Sequence, residues 1–247
     1  MTTTEDAKYE WEVTILPSML DWDLKLDTAF TFSLFMDLAA QHAEATDIGT
    51  TTLSPRGQFW LTVRTRIRFI RRPGLMEKAT AATWAEPPGK FKCIRYYTLK
   101  QGDETLVEGK TEWAVLDIRT GRLVNAADIY NEKVKTLDET VCGDSFSRMS
   151  EDFSGCRELE PYTVRSTDID FGRHMHNVAY ISALLGEYSV KELREFAVSE
   201  MEISFRSPCF EGETLSVFER KTETGVELGV FKPDGKCAAL ARMVTGK

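Results

Sequence analysis

The 247-residue sequence has few residues of the kinds that build metal sites, disulfide frameworks and membrane spans. It contains three histidines and five cysteines, and no two cysteines form a CxxC pair, so neither a disulfide framework nor a zinc knuckle is indicated. No segment approaches about 18 uninterrupted apolar residues. The opening MTTTEDAKYEWEV has neither a basic flank nor an apolar stretch of signal-peptide length. We therefore expect a cytoplasmic protein with reduced thiols, no cofactor and no metal ion.

Positive charge is also in deficit. The chain has 31 Lys and Arg residues against 39 Asp and Glu residues, which gives a formal net charge of -8. A general nucleic-acid binder would need a surplus of Lys and Arg on some surface, so no nucleic-acid partner is expected. The length allows one large domain or two small ones, each with its own core.

One order of secondary-structure elements occurs twice in the sequence. The first half has strand-like stretches at 9–16, 59–70, 92–99 and 105–116, and an apolar helix that Asp27 or Thr28 could cap. The second half has strands at 161–167, 202–206, 214–220, 226–231 and 238–244, and a helix in NVAYISALLGEYSVKEL. A helix that is apolar nearly all round is a buried one. We therefore expect an α+β tandem (double) hotdog, with two antiparallel sheets each wrapped around a central helix.

The repeat also sets the expected domain boundaries. Residues 1–125 form the first copy, 126–158 a polar linker and 159–247 the second copy. The two copies differ where their helices begin, and this difference bears on function.

The stretch TDIDFGRHMHNVAY holds two of the three histidines at the predicted start of the second helix. A helix N-terminus leaves backbone N–H groups unpaired, and those near residues 176–178 could stabilise an oxygen that gains negative charge during a reaction. Asp170 and His174 could position and deprotonate a water molecule, which is the equipment for acyl transfer to water. The alternative is structural: Asn177 caps the helix, Asp170 favours its dipole and the histidines are loop residues.

The first copy of the repeat serves as an internal control for these alternatives. Laying its LDWD on the TDID of the second copy places Asp23 on Asp170, whereas Asp27 and Ala29 take the places of the two histidines. If capping were the whole explanation, both copies would need the imidazoles. The second copy is therefore expected to have an added role.

The stretch DIDFGRHMHNVAY resembles the motif D-x-N-x-H-V-N-N-x-x-Y of the acyl-acyl carrier protein (acyl-ACP) thioesterase family of plant plastids and bacteria. QHAEATDIG, FWLTVRTRIRFIRRP and EGKTEWAVLDIRTGRLV resemble the family as well, so the similarity spans about residues 10–125 and 160–245. It implies a tandem hotdog whose first copy shapes an acyl pocket and whose second copy hydrolyses acyl-ACP in fatty acid biosynthesis. An acyl-CoA thioesterase and a non-catalytic acyl-thioester or acyl-carrier binding protein remain alternatives.

Position by position, the resemblance makes Asp170 and His174 the catalytic residues. Asn177 and His176 fall on the asparagine pair of the motif, and Cys209 falls on a cysteine of the family. A second mechanism would use Cys209 as a nucleophile with His174 and Asn177, because a thiolate beside an imidazole attacks acyl groups well. A buried, inert cysteine is the favoured alternative to that mechanism.

Two positions depart from the family's pattern. Gly172 stands where the family has a catalytic asparagine, and Pro208 stands where it has a catalytic glutamate. Glu211 or Glu213 would replace that glutamate only if the loop is shifted. The hydration of enoyl thioesters is disfavoured, because enzymes of that type resemble one another in a D-x-N-P-x-H motif that this sequence lacks.

Arg64, Arg66 and Arg68 alternate along one predicted strand, which places three guanidinium groups on one face. Acyl carrier protein is acidic and holds its fatty acyl group on a phosphopantetheine arm, whose phosphodiester Arg can bind. The stripe could therefore dock the carrier protein, or it could be a charged outer face that aids solubility. The expected partners are acyl carrier protein and, as an open option, a second copy of the chain to form a homodimer.

Overall fold

The computed structural model describes residues 7–246. The first six residues of the stretch inspected for a signal peptide lie outside that range. The chain divides between Asp144 and Ser145 into two compact units. The predicted linker, residues 126–158, is divided between the two units. Residues 126–144 belong to the N-terminal unit and residues 145–158 to the C-terminal unit. Within residues 7–246, no helix is long and apolar enough to cross a membrane.

The N-terminal unit is built on an antiparallel sheet. Its elements are β1 (Tyr9–Thr14), α1 (Thr28–Ala45), α2 (Thr50–Leu53), β2 (Gln58–Phe69), β3 (Lys78–Ala85), β4 (Cys93–Gln101), β5 (Glu104–Asp117) and β6 (Arg122–Val124). The strands are neighbours in the order β1, β3, β4, β5 and β2, and β6 pairs with β5. Sequence periodicity missed β3, because its residues KATAATWA are buried almost continuously instead of alternating.

Helix α1 is the predicted central helix of this unit. Asp27 caps it, since its carboxylate accepts a hydrogen bond from the Phe30 N–H at 2.8 Å. Phe35 of α1 is fully buried and stacks on Tyr97 of β4, with ring centroids 4.9 Å apart. A Cβ atom at Gly109 of β5 would lie 2.8 Å from the Phe35 ring, so glycine lets the sheet close against the helix.

The C-terminal unit repeats this arrangement with a shorter helix. Its elements are β7 (Arg157–Glu158), β8 (Tyr162–Thr163), α3 (Asn177–Gly186), α4 (Val190–Phe196), β9 (Val198–Phe205), β10 (Thr214–Thr222), β11 (Gly225–Phe231) and β12 (Cys237–Thr245). The strands are antiparallel neighbours in the order β9, β12, β11, β10 and β7, and β8 pairs with β10. Tyr180 of α3 packs edge-on against Phe205 of β9 at 5.6 Å. The chain is thus a tandem hotdog of the α+β class, as predicted.

Two local expectations for the C-terminal unit are wrong. The predicted strand at 161–167 pairs only at β8, because the Asp168 carboxylate accepts the Arg165 N–H at 2.7 Å and a 3-10 turn follows. The predicted second helix breaks into α3 and α4, because Ser189 caps α4 through the Glu192 N–H.

Candidate active site

A tight loop in front of α3 brings Asp170 and His174 together. The Asp170 N–H donates to the His174 carbonyl at 3.2 Å, and the Arg173 N–H donates to the Asp170 carbonyl at 2.9 Å. Arg173 has a φ of 61°, a left-handed conformation that few non-glycine residues adopt. The backbone therefore fixes the aspartate and the histidine, whose half-buried side chains remain accessible to a ligand.

Gly172 lies at the point on which these two side chains converge. Its N–H donates to Asp170 Oδ1 at 2.7 Å. A Cβ atom at this position would lie 2.9 Å from Asp170 Oδ1 and also 2.9 Å from His174 Nε2, which is closer than nonbonded contacts allow. Glycine therefore lets a carboxylate and an imidazole face each other. The sequence showed Gly172 only as a missing asparagine, because its spatial role depends on the loop conformation.

The hydrogen bond at His174 Nδ1 assigns the roles of its two ring nitrogens. Nδ1 lies 3.3 Å from the carbonyl oxygen of Met175, and a carbonyl can only accept, so Nδ1 carries the proton. The other nitrogen, Nε2, is then the one available as an acceptor, and it lies against Gly172 as the Asp170 carboxylate does. A water molecule bound beside Gly172 could donate one proton to each of these two acceptors.

His176, and not Asn177, caps helix α3. The His176 Nδ1 accepts a hydrogen bond from the Ala179 N–H at 3.1 Å, and the His176 N–H donates to the Asp168 carbonyl at 2.8 Å. The expected oxyanion contact near residues 176–178 therefore does not include the His176 N–H, which is already bonded. The Val178 N–H, in the first turn of α3, has no acceptor within the described part of the chain.

Cys209 is a buried thiol beside the loop that precedes α3. Its side chain is 0% exposed, and burial raises the pKa of the thiol, so the reactive thiolate is disfavoured. The Tyr180 hydroxyl lies beside this thiol, and the Cys209 carbonyl accepts the Met175 N–H at 2.8 Å. These contacts fit the structural role that the sequence favoured for Cys209.

Neither Glu211 nor Glu213, the two candidates to replace the family's catalytic glutamate, contacts Asp170 or His174 through any hydrogen bond or ion pair of the described residues. Glu213 Oε2 accepts the Phe210 N–H at 2.9 Å, and its Oε1 pairs with Lys232 at 3.2 Å. The ammonium of Lys232 also donates to the Pro208 carbonyl at 2.8 Å. Glu213 therefore closes its own turn, while Glu211 is exposed to solvent.

The N-terminal unit holds an equivalent loop, whose hydrogen bonds give the register of the repeat. The Asp21 N–H donates to the Lys25 carbonyl at 2.8 Å, just as Asp170 bonds to His174. The predicted alignment of Asp23 on Asp170 is therefore wrong by two residues. Asp21 is the counterpart of Asp170, and Lys25 is the counterpart of His174.

Further contacts follow the same corrected register. The N–H of Asp23 donates to the Asp21 carboxylate at 2.9 Å, as the Gly172 N–H does to its own aspartate. Asp27 caps α1 as His176 caps α3. The first copy thus has an equivalent loop without imidazoles. Because His176 is itself the helix cap, the internal control bears only on His174, whose counterpart is Lys25.

In the N-terminal unit a cation neutralises the loop carboxylate. Arg72 Nη1 pairs with Asp21 Oδ2 at 2.8 Å. The position of Arg72 is taken by Pro208 in the C-terminal unit, and Asp170 has no ion-pair partner among residues 7–246. Two matching backbone hydrogen bonds set this correspondence: Leu26 N–H to the Pro73 carbonyl and Met175 N–H to the Cys209 carbonyl, both 2.8 Å.

The arginine stripe of β2 is largely engaged in contacts within the N-terminal unit. Arg66 is 3% exposed and donates to the Asp144 carbonyl at 3.4 Å. Arg64 pairs with Glu112 at 2.9 Å, and Arg68 pairs with the Asp144 carboxylate at 3.1 Å. The stripe therefore holds carboxylates and the chain near residue 144 within its own unit.

No group of three or more His, Cys, Asp or Glu residues in the described range is placed to hold a metal ion. The candidate site consists of Asp170, Gly172, His174 and the first turn of α3.

Comparisons with known proteins relate both units to one family. The family model "Acyl-ACP thioesterase N-terminal domain" matches residues 5–134, and "Acyl-ACP thioesterase C-terminal domain" matches residues 154–234. A chloroplastic palmitoyl-acyl carrier protein thioesterase of Gossypium hirsutum is 22% identical over 208 residues, which is 80% of this chain and 49% of that protein. A chloroplastic oleoyl-acyl carrier protein thioesterase of Coriandrum sativum is 21% identical, covering 72% and 53%. The chain spans about half the length of these curated relatives.

Solved structures share the fold along the whole chain. The crystal structure of an acyl-ACP thioesterase from Bacteroides thetaiotaomicron matches with a TM-score of 0.86 and 18% identity, over 99% of this chain and 100% of that chain. The 12:0-ACP thioesterase from Umbellularia californica matches with a TM-score of 0.80 and 17% identity, over 97% of both chains. Because the two family models together match most of its residues, this chain belongs to the acyl-ACP thioesterase family.

Proposed function

We propose that this protein hydrolyses fatty acyl thioesters, with acyl-ACP as substrate, and releases free fatty acid in fatty acid biosynthesis. Family membership supports the reaction class, and the relatives named above are acyl carrier protein thioesterases. The observation that carries the proposal is the closeness of Asp170 Oδ1 and His174 Nε2, each 2.9 Å from the position that a Cβ atom on Gly172 would occupy.

In the proposed first step, Asp170 and His174 orient a water molecule through its two protons. Nε2 is the basic nitrogen, because Nδ1 is protonated and donates to the Met175 carbonyl. The water oxygen attacks the thioester carbonyl carbon while Nε2 takes its proton. The Asp170 carboxylate then stabilises the imidazolium that forms, since a nearby negative charge favours the charged ring.

The second step expels the thiol. The carbonyl oxygen gains negative charge in the tetrahedral intermediate, and the Val178 N–H together with the N-terminal dipole of α3 would stabilise it. The C–S bond then breaks, and the imidazolium returns its proton to the leaving thiolate. The products are a free fatty acid and the thiol of the phosphopantetheine arm.

The same geometry explains why one unit would be catalytic. The loop of the N-terminal unit has Lys25 in place of the imidazole, and its Asp21 carboxylate is paired with Arg72. An ion-paired carboxylate without a base nearby cannot activate water. We assign the N-terminal unit to the acyl chain, as the family resemblance implies.

Docking of the acidic carrier protein also needs cationic groups. Arg66 is buried, whereas Arg64 and Arg68 retain 28% and 34% of their side-chain exposure. Arg173 is exposed and directly precedes His174 in the loop. We propose that Arg173 contacts the phosphodiester of the arm and that Arg64 and Arg68 contribute less, because both are already ion-paired.

Thiol release from matched acyl-ACP and acyl-CoA substrates tests this function. Wild-type protein should turn over acyl-ACP with the higher kcat/KM, and His174→Ala should lower kcat by about 10²- to 10⁴-fold. Equal kcat/KM values for both thioesters would favour an acyl-CoA thioesterase. Binding of acyl-ACP without turnover of either substrate would favour a binding protein and contradict the hydrolase.

A further inference from the structure

A polar cluster interrupts the interior of the N-terminal unit, away from the loop described above. Arg95 and Tyr97 lie on β4, and Thr111 and Trp113 lie on the neighbouring β5, where Arg95 is opposite Thr111. Tyr97 stacks on Phe35 of α1, so this face of both strands is turned toward the helix. The four residues therefore share the inner face of the sheet.

Arg95 is a buried cation whose charge is not compensated by a carboxylate. It is 7% exposed, and its Nη1 contacts His42 Nδ1 at 2.8 Å and donates to Thr83 Oγ1 at 3.3 Å. Across residues 7–246, no Asp or Glu forms an ion pair with it. Burial, together with the charge of Arg95, lowers the pKa of His42 to about 3, so His42 is a neutral acceptor. A buried charge is normally paired, and here both partners are neutral.

Two buried hydrogen-bond donors beside this cation also lack acceptors. The Tyr97 hydroxyl and the Trp113 Nε1 have no hydrogen-bond partner among the described residues. Burial raises the pKa of Tyr97, so its hydroxyl remains a donor. Thr111 and Trp113 lie near that hydroxyl, but neither meets it in hydrogen-bonding geometry, and the charge of Arg95 acts on the hydroxyl as well. Buried donors in native proteins are nearly always paired, so this group calls for an acceptor with negative charge.

We propose that Arg95, Tyr97 and Trp113 bind a carboxylate inside the N-terminal unit. A carboxylate has two acceptor oxygens and a full negative charge, which match the guanidinium fork and the two neutral donors. Phe35 and Tyr97 stack on each other and are fully buried, so the surroundings are apolar, as suits a carboxylate attached to a hydrocarbon chain, and such a chain can enter only if the side chains around the cluster move apart. The ligand class is therefore a fatty carboxylate.

Two kinds of ligand carry a carboxylate on a hydrocarbon chain. One is the carboxylate of a free fatty acid, which would enter headgroup first. The other is the distal carboxylate of an ω-carboxyacyl thioester, and this source rests on the proposed hydrolase function.

Binding is tested first, without any turnover. Calorimetry with decanoate, decanol and methyl decanoate should show that wild-type protein binds the acid at least about tenfold more tightly than its neutral analogues. Arg95→Met keeps the volume and removes the charge, and Tyr97→Phe removes only the hydroxyl, so each should reduce that preference. Tyr96→Phe is the matched control, because Tyr96 is the adjacent residue of β4 and its hydroxyl donates instead to Glu86 at 2.9 Å.

A merely structural cluster gives a different result. Equal binding of decanoate and its neutral analogues by wild type, or an acid preference retained in Arg95→Met and Tyr97→Phe, would overturn the proposal. The thermal stability of each variant is measured alongside, and Tyr97→Phe should be at least as stable as wild type because it deletes an unpaired buried hydroxyl.

Turnover then distinguishes the two sources. If the ligand is the distal carboxylate, wild type should hydrolyse an ω-carboxydecanoyl thioester with a kcat/KM about tenfold above that of the decanoyl thioester, and Arg95→Met should abolish the difference. If the ligand is the free acid, the two thioesters react alike and decanoate inhibits wild type more strongly than Arg95→Met. If neither thioester reacts, the hydrolase proposal fails while the calorimetric result still stands.

Discussion

Replacing His42 with glutamine should make the protein less sensitive to acid. His42 is 4% exposed, and burial together with the charge of Arg95 lowers its pKa from 6.5 to about 3. The folded protein therefore keeps this ring neutral, whereas the unfolded chain protonates it below pH 6.5. The stability that depends on the neutral ring is complete above that pH and is lost as the pH falls toward 3.

The size of the effect follows from the difference between these two pKa values. Each pH unit between them costs about 1.4 kcal/mol of unfolding free energy. Wild type should therefore lose about 2 kcal/mol more than His42→Gln between pH 7 and pH 5. Glutamine does not titrate in this range, and its amide oxygen can still accept the hydrogen bond from Arg95.

Urea unfolding of the two proteins at a series of pH values measures this difference. The other histidines and all carboxylates are common to both proteins, so their contributions cancel in the comparison. As a direct check, the histidine NMR resonance that is absent from His42→Gln should not titrate between pH 8 and pH 5. Parallel stability curves, or a His42 resonance that titrates near pH 6.5, would refute a neutral His42 held by burial.

Three further predictions concern the candidate active site. Gly172→Ala should lower kcat at least about tenfold with little change in Tm, because the new Cβ separates the two catalytic groups. Gly186→Ala is the control, since a Cβ atom there meets no atom within 4 Å. An unchanged kcat in Gly172→Ala would contradict the geometry. Cys209→Ala should keep kcat within a few-fold of wild type while Tm falls, because a buried thiol is removed; loss of turnover in a folded variant would instead support a cysteine nucleophile. Arg173→Glu should raise KM for acyl-ACP several-fold more than KM for a short acyl thioester, with Arg64→Glu as the comparison, and equal effects on both substrates would remove Arg173 from carrier docking.

Much of the fold could be predicted from the sequence because burial leaves a periodic signal. The apolar character of α1 and the alternation in most strands predicted two sheets, each wrapped around a helix. Alanine-rich β3 was not predicted, because the strand is buried on both faces and its sequence does not alternate between apolar and polar residues. The strand expected at 161–167 was wrong because the Asp168 carboxylate accepts a hydrogen bond from the Arg165 N–H, which competes with sheet pairing.

The candidate site was only partly predictable, because its chemistry depends on loop geometry. The residue types identified Asp170 and His174, but their convergence around Gly172 requires the tight turn at Arg173. The repeat was misaligned by two residues in this region because the letters of LDWD and TDID coincide, whereas equivalence is defined by the hydrogen bonds. Alternation also cannot reveal that Arg66 is covered by the chain near residue 144.

One paired measurement tests the central claim most directly, namely that the loop of the C-terminal unit is the catalytic one. Steady-state hydrolysis of one acyl-ACP substrate is compared for Asp170→Asn and His174→Ala, and for the matched changes Asp21→Asn and Lys25→Ala in the N-terminal loop, with Tm recorded for each. The account predicts a loss of about 10²-fold or more in kcat for the first pair and near wild-type kcat for the second. Full activity in folded Asp170→Asn and His174→Ala variants would contradict it.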